Sequence, residues 1–98
     1  MKTHRLTLAT AALLLISLQA ANAACYADYK AKRDNPLTLL YGVSKLPDSA
    51  CSSKKAAAKE ISKKIARDGW KLLTVIGIFD ESGLDERKDS AGAYYLKY

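Results

Sequence analysis

From Lys55 to Phe79 the hydrophobic pattern changes from a helical period to a strand, and the rest of the chain is arranged around that stretch. Ala58, Ile61 and Ile65 recur at helical spacing, so they line one face of an amphipathic helix. Asp68-Gly69 then breaks the pattern. Glycine suits the left-handed C′ position that closes a helix, since it has no Cβ to clash. The next ten residues, Trp70 to Phe79, read as a strand apolar on both faces. Trp70, Leu72, Ile76 and Ile78 fall on one face and Leu73, Val75 and Phe79 on the other. Such a strand is expected in the middle of a sheet.

Upstream, Cys25 to Arg33 alternates: Ala27, Tyr29 and Ala31 point one way and Asp28, Lys30 and Lys32 the other. That is a strand with one wet face. Asp34-Asn35-Pro36 is a turn cluster. Leu37 to Leu46 forms the second strand, with Leu37, Leu39, Tyr41 and Val43 on one face and Gly42 as a candidate bulge. Asp48, Ser49 and Ser53 are alternative N-caps for the helix. In the charged stretch 80–92, Ser82 and Asp85 have capping-box spacing, which predicts a short helical turn. Tyr94, Leu96 and Tyr98 alternate with Ala93, Tyr95 and Lys97 as a closing strand.

The predicted order is β-β-α-β-β: an α+β fold with a small antiparallel sheet of three to four strands and one helix packed on it. One helix cannot cover both faces, so Leu73, Val75 and Phe79 need a second cover. The charges of 80–92 make it a poor lid. Either 80–92 still folds back over that face, with Leu84 able to plug one spot, or a second copy covers it; the homodimer is the favoured of the two.

The N-terminus changes which residues belong to that fold. Lys2 and Arg5 precede an apolar run, Leu6 to Leu18, and Ala21-Asn22-Ala23 has the A-x-A form of a cleavage site. This is the pattern of a signal peptide over 1–23, and the run is too short to span a bilayer. Lipidation of Cys25 is the competing reading, but Asn22 stands where a lipobox wants a leucine-like residue. The expected mature protein is a single small domain over 24–98, periplasmic or secreted and without a transmembrane segment. Losing Lys2 and Arg5 leaves 14 basic against 10 acidic residues, a net charge of +4 instead of +6.

Cys25 and Cys51 are the only cysteines. In an oxidising compartment they are expected to pair, stabilising so small a domain by ~3–4 kcal/mol. They lie too far apart in sequence for a Cys-x-x-Cys redox pair. The sole histidine, His4, sits in the leader. The mature chain then has no imidazole base, no Ser-His-Asp or Cys-His machinery and no histidine-ligated zinc.

Three segments together resemble a group of short bacterial proteins with no assigned activity: Tyr29-Lys30, Ile65-Ala-Arg-Asp-Gly-Trp-Lys-Leu-Leu-Thr-Val75 and Tyr94-Tyr-Leu-Lys-Tyr98. Those proteins carry a helix, then Gly-Trp-Glu-Leu-Val, then an aromatic and basic terminal strand. The exported, two-cysteine branch is the nearer likeness and covers nearly all of 24–98. Lys71 departs from it, since an acidic residue is usual there, and 34–47 is an addition to the shortest members. The resemblance implies the fold and brings no activity.

Candidate sites are few. Lys55, Lys59 and Lys63 form one basic stripe on the helix, able to meet an anionic surface, although an ordinary solvated face is the favoured reading. A Glu60–Lys64 pair would support that face. Tyr26 and Tyr95, if outward on paired strands, would form an aromatic patch for a partner. Gly69 and Trp70 anchor the core. Asp80, Glu81, Asp85, Glu86 and Asp89 fail the calcium-loop pattern, because Leu84 and Asp85 fall where a ligand and a glycine are needed. No metal or cofactor is expected, and nucleic acid is disfavoured by the modest charge and the exported location. The expected role is a non-catalytic binding or interaction module at the cell envelope, with a homodimer or an envelope protein as partner. The alternatives are an oligomer subunit, or a carboxylate-only enzyme if Glu60, Glu81, Glu86 or the aspartates converge in a cleft.

Overall fold

The computed structural model describes residues 24–98, and the leader expected over 1–23 lies outside them. Strands β1 (Cys25–Arg33), β2 (Thr38–Leu46) and β3 (Lys71–Phe79) form one antiparallel sheet in the order β2-β1-β3. Helix α1 (Lys54–Ala66) packs on one face and the short helix α2 (Asp85–Ala91) on the other. Short 3-10 turns occupy Asp48–Ala50, Glu81–Gly83 and Gly92–Tyr94. The fold is α+β, with a disulfide joining Cys25 at the start of β1 to Cys51 ahead of α1.

The most apolar strand is not the central one. β1 takes the middle and β3 is an edge, so the two-sided apolarity of β3 has another cause. Its register against β1 shifts twice, between Asp28 and Tyr29 and again between Lys30 and Ala31, leaving Ile76 and Leu73 as extra residues. Each bulge moves the inward positions along by one. Leu72, Val75 and Ile78 therefore all join the cluster under α1, while Leu73 and Ile76 are exposed. Strict alternation grouped Leu73, Val75 and Phe79, and the structure separates all three. Gly42 marks no bulge, because the β1–β2 register is unbroken there. It lies opposite Tyr29, and a Cβ on it would come within 2.6 Å of the tyrosine ring. An aromatic ring shields the glycine across the strand pair.

At the start of α1 the Ser53 hydroxyl oxygen accepts the Ala56 N–H at 3.0 Å. At the other end Gly69 adopts φ 81°, the left-handed conformation the sequence predicts. Its N–H donates to the Ala66 carbonyl at 3.0 Å, and the Trp70 N–H donates to the Ile65 carbonyl at 3.2 Å. This is the Schellman pattern, and it delivers Trp70 into the cluster that holds Ile61 and Ile65. There the indole meets Tyr94 edge-on at 5.8 Å, with the Arg33 guanidinium 3.9 Å over its ring.

The C-terminal residues form no fourth strand. Tyr95 makes one parallel bridge with Val43, and the Leu96 N–H donates to the Val43 carbonyl at 2.8 Å. Tyr94 and Tyr98 pack on the α1 side and Tyr95 on the α2 side. The alternation of this segment is that of a strap straddling the edge of β2. Lys64 ties the strap to the helix, donating to the Ser44 hydroxyl, the Lys45 carbonyl and the main-chain oxygen of Tyr98 at 2.9–3.3 Å. Burial lowers the Lys64 pKa. Its expected partner Glu60 instead faces Lys63 at 3.8 Å.

Segment 80–92 is the second cover. The Asp80 side chain accepts the Ser82 N–H at 3.0 Å, so Asp80 and not a Ser82–Asp85 box opens the turn. Leu84, Ala91 and Tyr95 close over Tyr26, Val43 and Phe79. The premise of the dimer expectation, a face without cover from its own chain, does not hold at this end of the sheet.

Candidate functional site

Arg87 turns a charged segment into a lid. Its Nε donates to Asp28 Oδ2 at 3.0 Å and its Nη1 to the Gly83 carbonyl at 2.7 Å. The guanidinium carbon lies 3.9 Å over the Phe79 ring. The Tyr41 hydroxyl donates to the same Asp28 oxygen at 2.8 Å. Burial, reinforced by that bond, pushes the Tyr41 hydroxyl up to about 12. Asp28 shares a face with Lys30 and Lys32, as alternation predicts, yet it is only 5 % exposed. The lid covers its half of the face and not theirs.

The uncovered half is a small platform. In one row Leu39 of β2, Lys32 of β1 and Lys71 of β3 stand side by side, and in the next Tyr41, Lys30 and Thr74 do so. Leu39 is 66 % exposed, and Leu37, in the adjoining turn, 65 %. Lys30 and Lys71 are exposed too. The one acidic partner among these lysines is Asp34, 3.3 Å from Lys32. Like charges directly opposite on paired strands repel, so Lys32 against Lys71 is an unfavourable pair. Sequence alternation marked Lys30 and Lys32 as a wet face, but Lys71 joins them only through the β1–β3 register, which no local pattern encodes.

The residues predicted from sequence scatter. Lys55, Lys59 and Lys63 are exposed on α1, on the opposite side of the sheet from the platform, with no large apolar residue exposed among them. Tyr26 and Tyr95 are brought together, but inward: both belong to the cluster under α2, and Tyr26 stacks on Phe79 at 6.2 Å. They form no outward patch, because the edge of β2 takes Tyr95 inside the lid. Gly69 and Trp70 lie at the helix exit with the indole buried. Cys25 and Cys51 are bonded, which leaves no cysteine free for lipidation.

The carboxylates do not share a cleft. Glu60 lies on α1, and Glu81 and Glu86 lie on the lid across the sheet. Among the described residues there is no cavity, and no group of three or more potential metal ligands. Nor is any helix among them long and apolar enough to cross a membrane. Comparison with family models, curated proteins and solved structures gives no match for this chain.

Proposed function

We propose that the protein is an exported, non-catalytic module that works at the cell envelope by surface contact. The observation that carries this reading is the open half of the α2-side face, where exposed Leu39 and the lysines stand together on the sheet with exposed Leu37 in the turn beside them. The export pattern of 1–23, the disulfide and the lack of histidine after His4 support it. Expression of the full chain followed by cell fractionation tests it. The expected product begins at Ala24, weighs two hydrogens less than its reduced form and sediments with the envelope. An uncleaved chain, or mature protein wholly in the soluble fraction, overturns the reading.

A second reading, an oligomer subunit, is favoured by the outer edge of β3, where Leu73 and Ile76 are exposed. The two bulges on that strand oppose it, since bulges disrupt regular edge-to-edge pairing. Sedimentation as a monomer on dilution would remove it.

A further inference from the structure

We infer that the open end of the sheet, Leu37, Leu39, Lys30, Lys32 and Lys71, is a docking surface for an anionic lipid bilayer. This rests on the envelope-module reading and names its partner. Leu37 and Leu39 are the most exposed large apolar side chains among the described residues, and both lie at the hairpin end. Single exposed leucines need no explanation, but Leu39 stands in one row with Lys32 and Lys71, Lys30 follows in the next row, and Leu37 lies two residues before Leu39 in the adjoining turn. Leucines there gain from hydrocarbon, while lysine stems lie along the apolar zone and lift their ammonium groups to lipid phosphates. The repulsion between Lys32 and Lys71 is relieved when phosphates supply the missing negative charge. Nucleic acid would answer the lysines and leave the leucines in water.

Charge on the same face sets the orientation. The lid segment carries Asp80, Glu81, Asp85, Glu86 and Asp89 against Arg87 and Lys88. An anionic leaflet repels that half and attracts the other, so the molecule docks hairpin end first. The α1 stripe is basic but has no exposed leucine or isoleucine beside it, and supplies only long-range attraction.

Every described element and the disulfide lie within residues 24–98, the expected mature chain, so the oxidised 24–98 protein is the sample. It is floated with vesicles of phosphatidylcholine alone or of equimolar phosphatidylcholine and phosphatidylglycerol. Binding is expected only to the second. Lysines near an anionic surface are worth about fivefold each, so Lys30→Gln with Lys71→Gln should weaken binding about 25-fold. Leu37→Ser with Leu39→Ser should weaken it at least tenfold, and Lys55→Gln with Lys59→Gln and Lys63→Gln by less than about threefold. Trp70 emission verifies that each variant is folded. The docking surface is overturned by absence of binding, by loss of binding in the α1 variant, or by insensitivity to the leucine pair. If envelope association persists in cells without vesicle binding, the lipid inference alone fails. If the protein never reaches the envelope, the parent reading fails with it.

Discussion

The two faces of the sheet are closed by covers of different kinds. Under α1 the contacts are apolar: Ala57, Ile61 and Ile65 descend on Ala27, Tyr29 and Val75, and Trp70 fills the end. Under α2 only Tyr26, Val43 and Ala91 are buried apolar residues. A seven-residue helix is too short to be stable by itself. What holds it is the Arg87–Asp28 pair, bridging residues 59 apart in sequence and shared with Tyr41. One cover stays because its surface is apolar; the other adds the Arg87–Asp28 contact to a much smaller apolar cluster.

The largest expected effect breaks the first face. Trp70→Ala should destabilise the domain by ~3–5 kcal/mol, a large part of the stability available to so small a chain. Urea unfolding of the variant checks this, and a loss below about 1 kcal/mol would contradict the anchor role. The second face should fail locally. Arg87→Ala leaves Asp28 buried without its cation, at a cost of about 2–4 kcal/mol. Hydrogen exchange should quicken over 80–91 and around Val43 while amides of α1 stay protected. The pair Asp28→Leu with Arg87→Met should lose less than Arg87→Ala, because no charge is then left stranded.

This contrast also explains what the sequence could reveal. The stop at Gly69, the helix face of Ile61 and Ile65, the first two strands and the α+β fold follow from local periods and local caps. The Cys25–Cys51 bond follows from there being no other cysteine. The lid does not, because Arg87 looks like one charge in a polar loop until the fold sets Asp28 beneath it. Nor do the bulges at Leu73 and Ile76, since a run of apolar residues hides a slip that a mixed pattern would expose. The closing tyrosines alternate like a strand because a strap across an edge also has two sides. The basic platform was half visible: Lys30 and Lys32 alternate correctly, and Lys71 enters only through pairing.

Alkali should weaken both faces, the first more than the second. Burial pushes Tyr29 and Tyr98 on the α1 side and Tyr41 on the α2 side up to about 12, from an ordinary 10.0. Bonds to Asp68 and Asp28 reinforce the shift at Tyr98 and Tyr41. A folded pKa above the unfolded one means the native state keeps its proton longer. That stabilisation is complete below about pH 10 and is lost as pH climbs toward about 12. Fully buried Tyr29 alone should contribute on the order of 1–2 kcal/mol to the decline by about pH 11. Denaturant midpoints at about pH 8 and about pH 11 check it, with Tyr29→Phe expected to flatten the slope. An unchanged slope in that variant would mean that Tyr29 ionises without opposing the fold.

The smallest expected change has the opposite sign. Lys71 faces Lys32 across the β1–β3 ladder at the open end, and only Lys32 has an acidic neighbour. Lys71→Glu replaces a repulsive cross-strand pair by an attractive one, on exposed side chains where each contributes about 0.2–1 kcal/mol. The domain should therefore become slightly more stable, by a few tenths of a kcal/mol, and the gain should fade in high salt as the charges are screened. The same substitution puts a negative charge at the β3 edge of the lysine platform, beside Lys32, and should weaken anionic-vesicle binding more than Lys71→Gln does. A lysine kept for the fold would give the reverse: a less stable protein with lipid binding unchanged. Measuring thermal stability and vesicle flotation on this one variant separates the two uses of the face, since no packing contact explains a gain in stability that accompanies a loss of binding.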